Sequence, residues 1–199
     1  MSVGTKEQQI LTAGRQLFLR HGYEGATTDA LVDKARVSKE TLYRYYPTKD
    51  ALLTAVIKDM AARRRAIASD LALPADATRR TLETLLRRLT EAALAETMRP
   101  EYLDLLRLVI GESARRPHLA KLLREMLTGG GAVRRLLRSA RDQGLLRQDV
   151  KTDVAAQILG GAVLGWVLDQ GVLAGPRADP PTPFDVDEIV RLFLRGISS

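Results

Sequence analysis

The chain has 199 residues, 45% of them hydrophobic but only 5% aromatic, and carries a formal net charge of +7. It has no cysteine and two histidines, His21 and His118, so disulfides and thiolate metal sites are excluded and imidazoles are too few for a metal cluster. A core drawn mainly from Leu, Ala and Val suits packed helices, and the basic balance suits a polyanion partner.

The first helix is predicted from about Thr5 to His21, where Ile10, Ala13, Leu17 and Phe18 repeat at three and four and form one apolar stripe. Gly22 is placed as its C-cap, because the left-handed conformation costs glycine little. Residues 27–49 then read as two short helices joined by a tight turn. Thr27 caps the first, with Leu31, Val32 and Ala35 on one face, and Arg36 and Val37 make the turn. Ser38 caps the second, whose apolar positions are Leu42 and Tyr45 or Tyr46, and Pro47 stops it. The first helix braces this pair from behind Leu31, Val37 and Leu42.

Ser38, Lys39, Glu40, Thr41, Tyr43 and Arg44 are left on the outward face. Between Lys34 and Lys49 five bases stand against one acid, Glu40. Two helices of this size, a short turn and a polar outward face describe a helix-turn-helix. On charge alone, a solvated face over a helical hairpin explains the stretch equally well; spacing and caps tip the balance toward duplex DNA.

A fourth helix should open at Thr48 and continue past Arg63-Arg64-Arg65 to about Leu71. The triplet reads as a solvated face. Residues 72–76, with Pro74 inside, form the clearest hinge. Beyond it come stripes on Leu82, Leu85, Leu86, Leu89 and Ala93, then Leu103, Leu106, Val109 and Ile110, then Leu119, Leu122, Leu123 and Met126. Gly129-Gly130-Gly131 must bend or break the helix there, before Val133, Leu136, Leu137 and Ala140 resume the pattern and Gly144 ends it. Asp149 or Thr152 caps a helix reaching Leu168 or slightly beyond, in which Gly161 and Gly165 imply close packing. Its apolar run is shorter than the ~20 residues of a membrane span, and no signal-peptide stretch opens the chain, so a soluble, cytoplasmic protein is expected. A proline-rich loop, 174–185, precedes a last helix with Ile189, Val190, Leu192 and Phe193. The expectation is an all-α chain of about nine helices, without a strand, cofactor or membrane span.

Gly22-Tyr23, Thr27, Ala35-Arg36-Val37-Ser38, Thr41-Leu42-Tyr43-Arg44-Tyr45-Tyr46 and Thr48-Lys49 together resemble the DNA-binding signature of TetR-family repressors. The quoted positions run from Gly22 to Lys49 with the family's internal spacing. Three positions depart from it. Arg36 stands where glycine is usual and must take a positive φ with a side chain. Glu40, also for glycine, puts an acid on the reading face, and Tyr46, for phenylalanine, needs a hydroxyl partner if buried. Residues 102–127 resemble, more loosely, the C-terminal domains of TetR/AcrR-type regulators.

The resemblance implies an N-terminal helix-turn-helix three-helix DNA-binding domain, residues 1–50. A C-terminal helical effector-binding and dimerisation domain, residues 51–199, would follow. It implies a homodimer on a palindromic operator of double-stranded DNA, paired through residues 152–173 and 186–197. Both of those segments are apolar over more surface than one core needs. In DNA, Lys39, Glu40 and Thr41 are expected at base edges. Thr27, Ser38, Tyr43, Tyr45 and Lys49 are expected on phosphates, and Arg44 on either. A small apolar or amphipathic effector would sit among Met98, Tyr102, Met126 and Trp166, although each of them taken singly reads more readily as plain core. It would release DNA through the fourth helix, which alone spans both regions. Control by a protein partner, no control, and activation rather than repression are the open alternatives. Enzyme chemistry lacks material: there is no histidine pair, no glycine-rich phosphate loop, and the carboxylates are scattered.

Overall fold

The computed structural model describes residues 5–67, 71–127, 131–174 and 184–198. The side chains of residues 63–67 and 124–127 also lie outside the described residues, so the expectations for the arginine triplet, Met126, Gly129, Gly130 and most of the proline-rich loop do too. The helices are α1 (Lys6–Gly25), α2 (Thr28–Ala35), α3 (Lys39–Tyr45), α4 (Lys49–Ile67), α5 (Arg79–Thr97) and α6 (Pro100–Ser113), followed by α7 (Pro117–Leu127), α8 (Gly131–Asp142), α9 (Thr152–Val167) and α10 (Val186–Ile197). A π-helical segment, Leu168–Leu173, continues α9. The fold is all-α. Ten helices are present among the described residues, in line with the expected nine or so. The nearest approach to a strand there is one isolated bridge, Leu146 with Ser198.

Packing divides the chain into two units, Met1–Arg63 with Asp104–Arg124, and Arg64–Leu103 with Glu125–Ser199. The N-terminal unit thus takes in most of α4 and the α6–α7 stretch besides residues 1–50. The fourth helix is also not alone in contributing residues to both units, since α6 does the same.

In the first unit the α1 stripe is buried as its spacing requires: Ile10, Ala13, Leu17 and Phe18 are all core. Thr5 caps α1 by accepting from the Gln8 N–H at 3.3 Å. Gly22 interrupts the helix with φ 71°, a conformation that only glycine adopts cheaply. Tyr23 then folds back so that its ring lies parallel to Phe18, centroids 6.0 Å apart. Leu31 and Leu42 are buried beneath the turn, and Val37 is half-buried. Of α6, Leu105, Leu106 and Val109 are buried in this unit and Tyr102 and Leu103 in the second, whereas Ile110, expected in that stripe, is 41% exposed.

In the second unit α5, α8, α9 and α10 share one core. Leu82, Leu86 and Leu89 meet Leu136, Leu137 and Ala140, with Ala155, Ala156 and Leu159 of α9 and Val190 and Leu194 of α10. Thr78 and Thr81 form a reciprocal capping box at the start of α5. The expected hinge is anchored rather than free: Leu71 and Leu73 pack on this core, and the Gln143 side-chain amide donates to the Pro74 carbonyl at 2.9 Å.

α9 corrects three expectations. Neither Asp149 nor Thr152 caps it; Lys151 holds the N-cap position without a side-chain bond, and Thr152 is buried in the first turn. With its π-helical extension the run Thr152–Leu173 is 22 residues, long and apolar enough by length and composition to cross a bilayer, yet its Ala155, Ala156 and Leu159 belong to the core. Among the described residues Gly161 and Gly165 make no close contact, since a Cβ built on either meets nothing within 4 Å. The close approach falls instead at Gly171, where a Cβ would come within 2.7 Å of Leu103 Cδ2 and 3.2 Å of Met98 Sδ.

Candidate nucleic-acid interface

The reading stretch folds as its caps dictate. Thr27 Oγ1 accepts from the Ala30 N–H at 3.2 Å, and Ser38 Oγ accepts from the Thr41 N–H at 3.1 Å while donating to Thr41 Oγ1 at 3.0 Å. Each bond satisfies one of the N–H groups that a helix start leaves open. Arg36 takes φ 54° and ψ 49°, the left-handed C-cap of α2, and is the one non-glycine residue with positive φ among those described. Its N–H closes on the Asp33 carbonyl at 3.2 Å, which holds that geometry in place of the usual glycine. Tyr46 is buried and donates its hydroxyl to Glu7 at 3.4 Å. Burial first, and the Glu7 charge second, push its pKa up to about 12.

The surface of α3 and its cap presents Ser38, Lys39, Glu40, Tyr43, Arg44 and Tyr45 to solvent, with Thr41 half-buried and Thr27 exposed at the α2 cap. Lys39 pairs with Asp29 of α2 at 2.6 Å, a bond that raises the lysine pKa. Tyr43, 47% exposed, shares a 3.3 Å hydrogen bond with the Thr28 hydroxyl, and the Arg44 guanidinium stands 5.7 Å from the Tyr45 ring centroid. Of the expected phosphate ligands, Lys49 is the one set back. Its ammonium lies 4.4 Å from the Tyr23 ring centroid, 3.5 Å from the Glu24 carbonyl and 4.0 Å from the Glu24 carboxylate.

Lys49 borders a polar knot that the sequence did not announce. Arg116, at the α6–α7 turn, reaches Asp50 Oδ1 through Nε at 3.1 Å and Glu24 Oε1 through Nη2 at 3.3 Å, and also pairs with Glu112. Its guanidinium lies 3.6 Å from the Tyr23 ring centroid, and the Tyr23 hydroxyl donates to Asp50. That bond, ahead of the nearby Arg116, holds the Asp50 carboxyl below the ordinary aspartate range. Burial, then the same bond, raises the Tyr23 phenol. Tyr23 entered the sequence reading only through the resemblance, and Glu24 and Asp50 are separated from Arg116 by more than 60 residues of sequence.

The second unit holds a cavity of about 270 Å³ bounded by α5, α8 and α9. Leu89, Ala93, Val133, Leu159, Val163 and Val167 make its walls apolar. Thr90, Thr97, Arg134 and Gln157 are its polar lining. The two threonine hydroxyls donate to carbonyls of their own helix, Leu86 at 2.8 Å and Ala93 at 2.6 Å, and keep lone pairs to accept. Arg134 Nε is 3.0 Å from Asp153, but the N–H is not aimed at it, so this buried donor has no hydrogen-bond acceptor among the described residues. Met98, Tyr102 and Trp166 do not line the cavity. Met98 packs toward Gly171, Tyr102 is core, and Trp166 meets Phe184 edge to face at 5.6 Å. Leu89, Ala93 and Val133 were legible as stripe positions, but the polar lining, the Leu159, Val163 and Val167 wall and which helices would stand apart were not.

A capped helix-turn-helix with an exposed polar reading helix defines a DNA-binding transcriptional regulator. The chain belongs to the tetR family of bacterial regulatory proteins, whose model matches residues 10–56; the model of the AefR-like transcriptional repressor C-terminal domain matches residues 84–196. The HTH-type transcriptional repressor AcnR of Corynebacterium glutamicum is 28% identical, over 80% of this chain and 79% of its own length. An uncharacterized HTH-type transcriptional regulator of Mycobacterium tuberculosis is 26% identical, over 80% and 74%. Among solved structures, a TetR-family regulator from Mesorhizobium loti shares the fold with a TM-score of 0.79 at 22% identity, covering 98% of this chain and 97% of that one. The flavonoid-responsive regulator FrrA aligns at TM-score 0.71 and 26% identity, over 97% of both chains.

Proposed function

We propose that the protein is a cytoplasmic repressor that binds a palindromic operator as a homodimer and is released by a small apolar or amphipathic effector. Lys39, Glu40 and Thr41 reach base edges: the lysine donates to guanine, and the glutamate accepts from a cytosine amino group. Thr27, Ser38, Tyr43, Tyr45 and Lys49 hold phosphates, and Arg44 serves either purpose. One seven-residue reading helix spans only a few base pairs, so a two-fold pair spaced by about 34 Å supplies the rest of the specificity.

The second copy has a face waiting for it. On α9, Val154 and Ile158 are 48% and 62% exposed, and with Gly161 and Gly165 they line one side of the helix; Leu192 of α10 is 53% exposed. The observation that carries effector control is the apolar cavity beside α9, near the lower end of the usual ligand-pocket range of roughly 300–1,000 Å³. The likeness to a flavonoid-responsive regulator supports a small organic ligand. Selection of bound duplexes from a random pool tests the operator claim: a repeated, inverted half-site is expected, and recovery of unrelated sequences would remove it.

A further inference from the structure

The helix-turn-helix is flanked by two short pieces of chain, Tyr23-Glu24 where it is entered and Lys49-Asp50 where it is left, and one guanidinium grips both. Arg116 stacks 3.6 Å from the Tyr23 centroid and bonds Glu24 on the entry side, while its Nε takes Asp50 on the exit side. Its remaining amino group pairs with Glu112 on α6. Tyr23 itself joins entry to exit through its hydroxyl bond to Asp50, and Lys49 covers the same ring as a second cation. The Arg116 side chain is only 16% exposed, so it is spent on these contacts rather than offered to DNA. A planar fork with five N–H donors can stack on a ring and serve three carboxylates at once; an ammonium cannot.

We propose that Arg116 is a positioning residue for operator recognition, a clasp that closes the two ends of the helix-turn-helix on each other and on α6 so that α3 is presented in one orientation. Base readout needs side chains held within hydrogen-bond reach of base edges, whereas attraction to phosphates tolerates a loose reader. Opening the clasp should therefore cost specific binding and spare non-specific binding. The inference rests on α3 being the base-reading element.

The test compares two duplexes by fluorescence anisotropy with the full-length protein: one selected by the wild type from a random pool, and a scramble of the same composition. Arg116→Gln, with helicity and oligomeric state unchanged, is expected to lose about tenfold in affinity for the selected duplex, the scale of one lost base contact, while the scramble changes less than about twofold. Arg116→Lys should fall between Gln and wild type, and Tyr23→Phe, which keeps the ring but not the Asp50 bond, should lose a few-fold. If the Gln variant does not fold, the Lys and Phe variants make the same comparison. Unchanged affinity for the selected duplex would reduce Arg116 to a fold-stabilising role, and equal losses on both duplexes would make it a phosphate contact; either overturns the clasp. A wild type that does not distinguish the two duplexes would instead remove the reading of α3 on which the clasp depends.

Discussion

If Lys39 reads a base edge as proposed, it is the residue on which readout chemistry and the free protein's electrostatics compete. Its ammonium is held at 2.6 Å by Asp29, both groups being well exposed, and such pairs contribute only about 0–1 kcal/mol. A phosphate or guanine can displace Asp29 at little cost, but the carboxylate stays nearby and repels the backbone. Asp29→Asn should therefore tighten binding to every duplex by a few-fold; an unchanged dissociation constant at low salt would show that Asp29 lies away from the DNA. At Asp50 the consequence is a pH dependence. The Tyr23 bond and then Arg116 lower its folded pKa, so the fold binds that proton less readily than the unfolded chain does. Its stabilisation is present above the unfolded carboxylate pKa and lost as pH falls through the folded one. The difference in urea midpoint between wild type and Asp50→Asn should be constant near neutrality and shrink in acid below the ordinary aspartate range. A difference that persists undiminished there would mean that the carboxylate charge contributes nothing.

The elements of the DNA-binding unit were legible because short-range rules govern them. Thr27 and Ser38 cap where a hydroxyl precedes a stripe, Gly22 breaks α1 where a positive φ is needed, and Arg36 takes the left-handed turn that the resemblance to a glycine position implied. What the sequence left unread depends on neighbours distant in the chain. Ile110 falls on the period of the α6 stripe yet faces solvent, and the Arg116 knot joins residues from three separate stretches. The glycines of α9 show the same limit. Their spacing signals a close helix–helix approach, but among the described residues no such approach is made at them. A side chain at Gly161 has free space, and replacing a mid-helix glycine by alanine gains roughly 0.5–1 kcal/mol of helix stability. Gly161→Leu should accordingly leave the fold of one subunit intact and disrupt a pair of subunits packed on that face. Sedimentation at a series of concentrations is expected to show weaker self-association than wild type at equal helicity. Unaltered self-association would place the dimer contact elsewhere.

At the scale of the whole molecule, regulation requires that something distinguish a DNA-binding state from a released one, and a ligand can shift that balance only by its differential affinity for the two. The cavity among α5, α8 and α9 has the composition for such a ligand: apolar walls, threonine acceptors, and Arg134 with a buried donor left over. Ala93 stands on its wall, partly exposed to the empty volume, so a larger side chain there fills space instead of displacing core. Ala93→Phe should keep the fold, the oligomeric state and the affinity for the selected duplex. It should also abolish both release from DNA and the rise in melting temperature caused by any small molecule that produces them in the wild type. Because a filled cavity cannot select the released state, the variant is expected to behave as a repressor that no longer responds. Release that survives in Ala93→Phe would move the effector site away from this cavity. A wild type that ignores a broad panel of apolar and amphipathic compounds would leave control to a protein partner or to none.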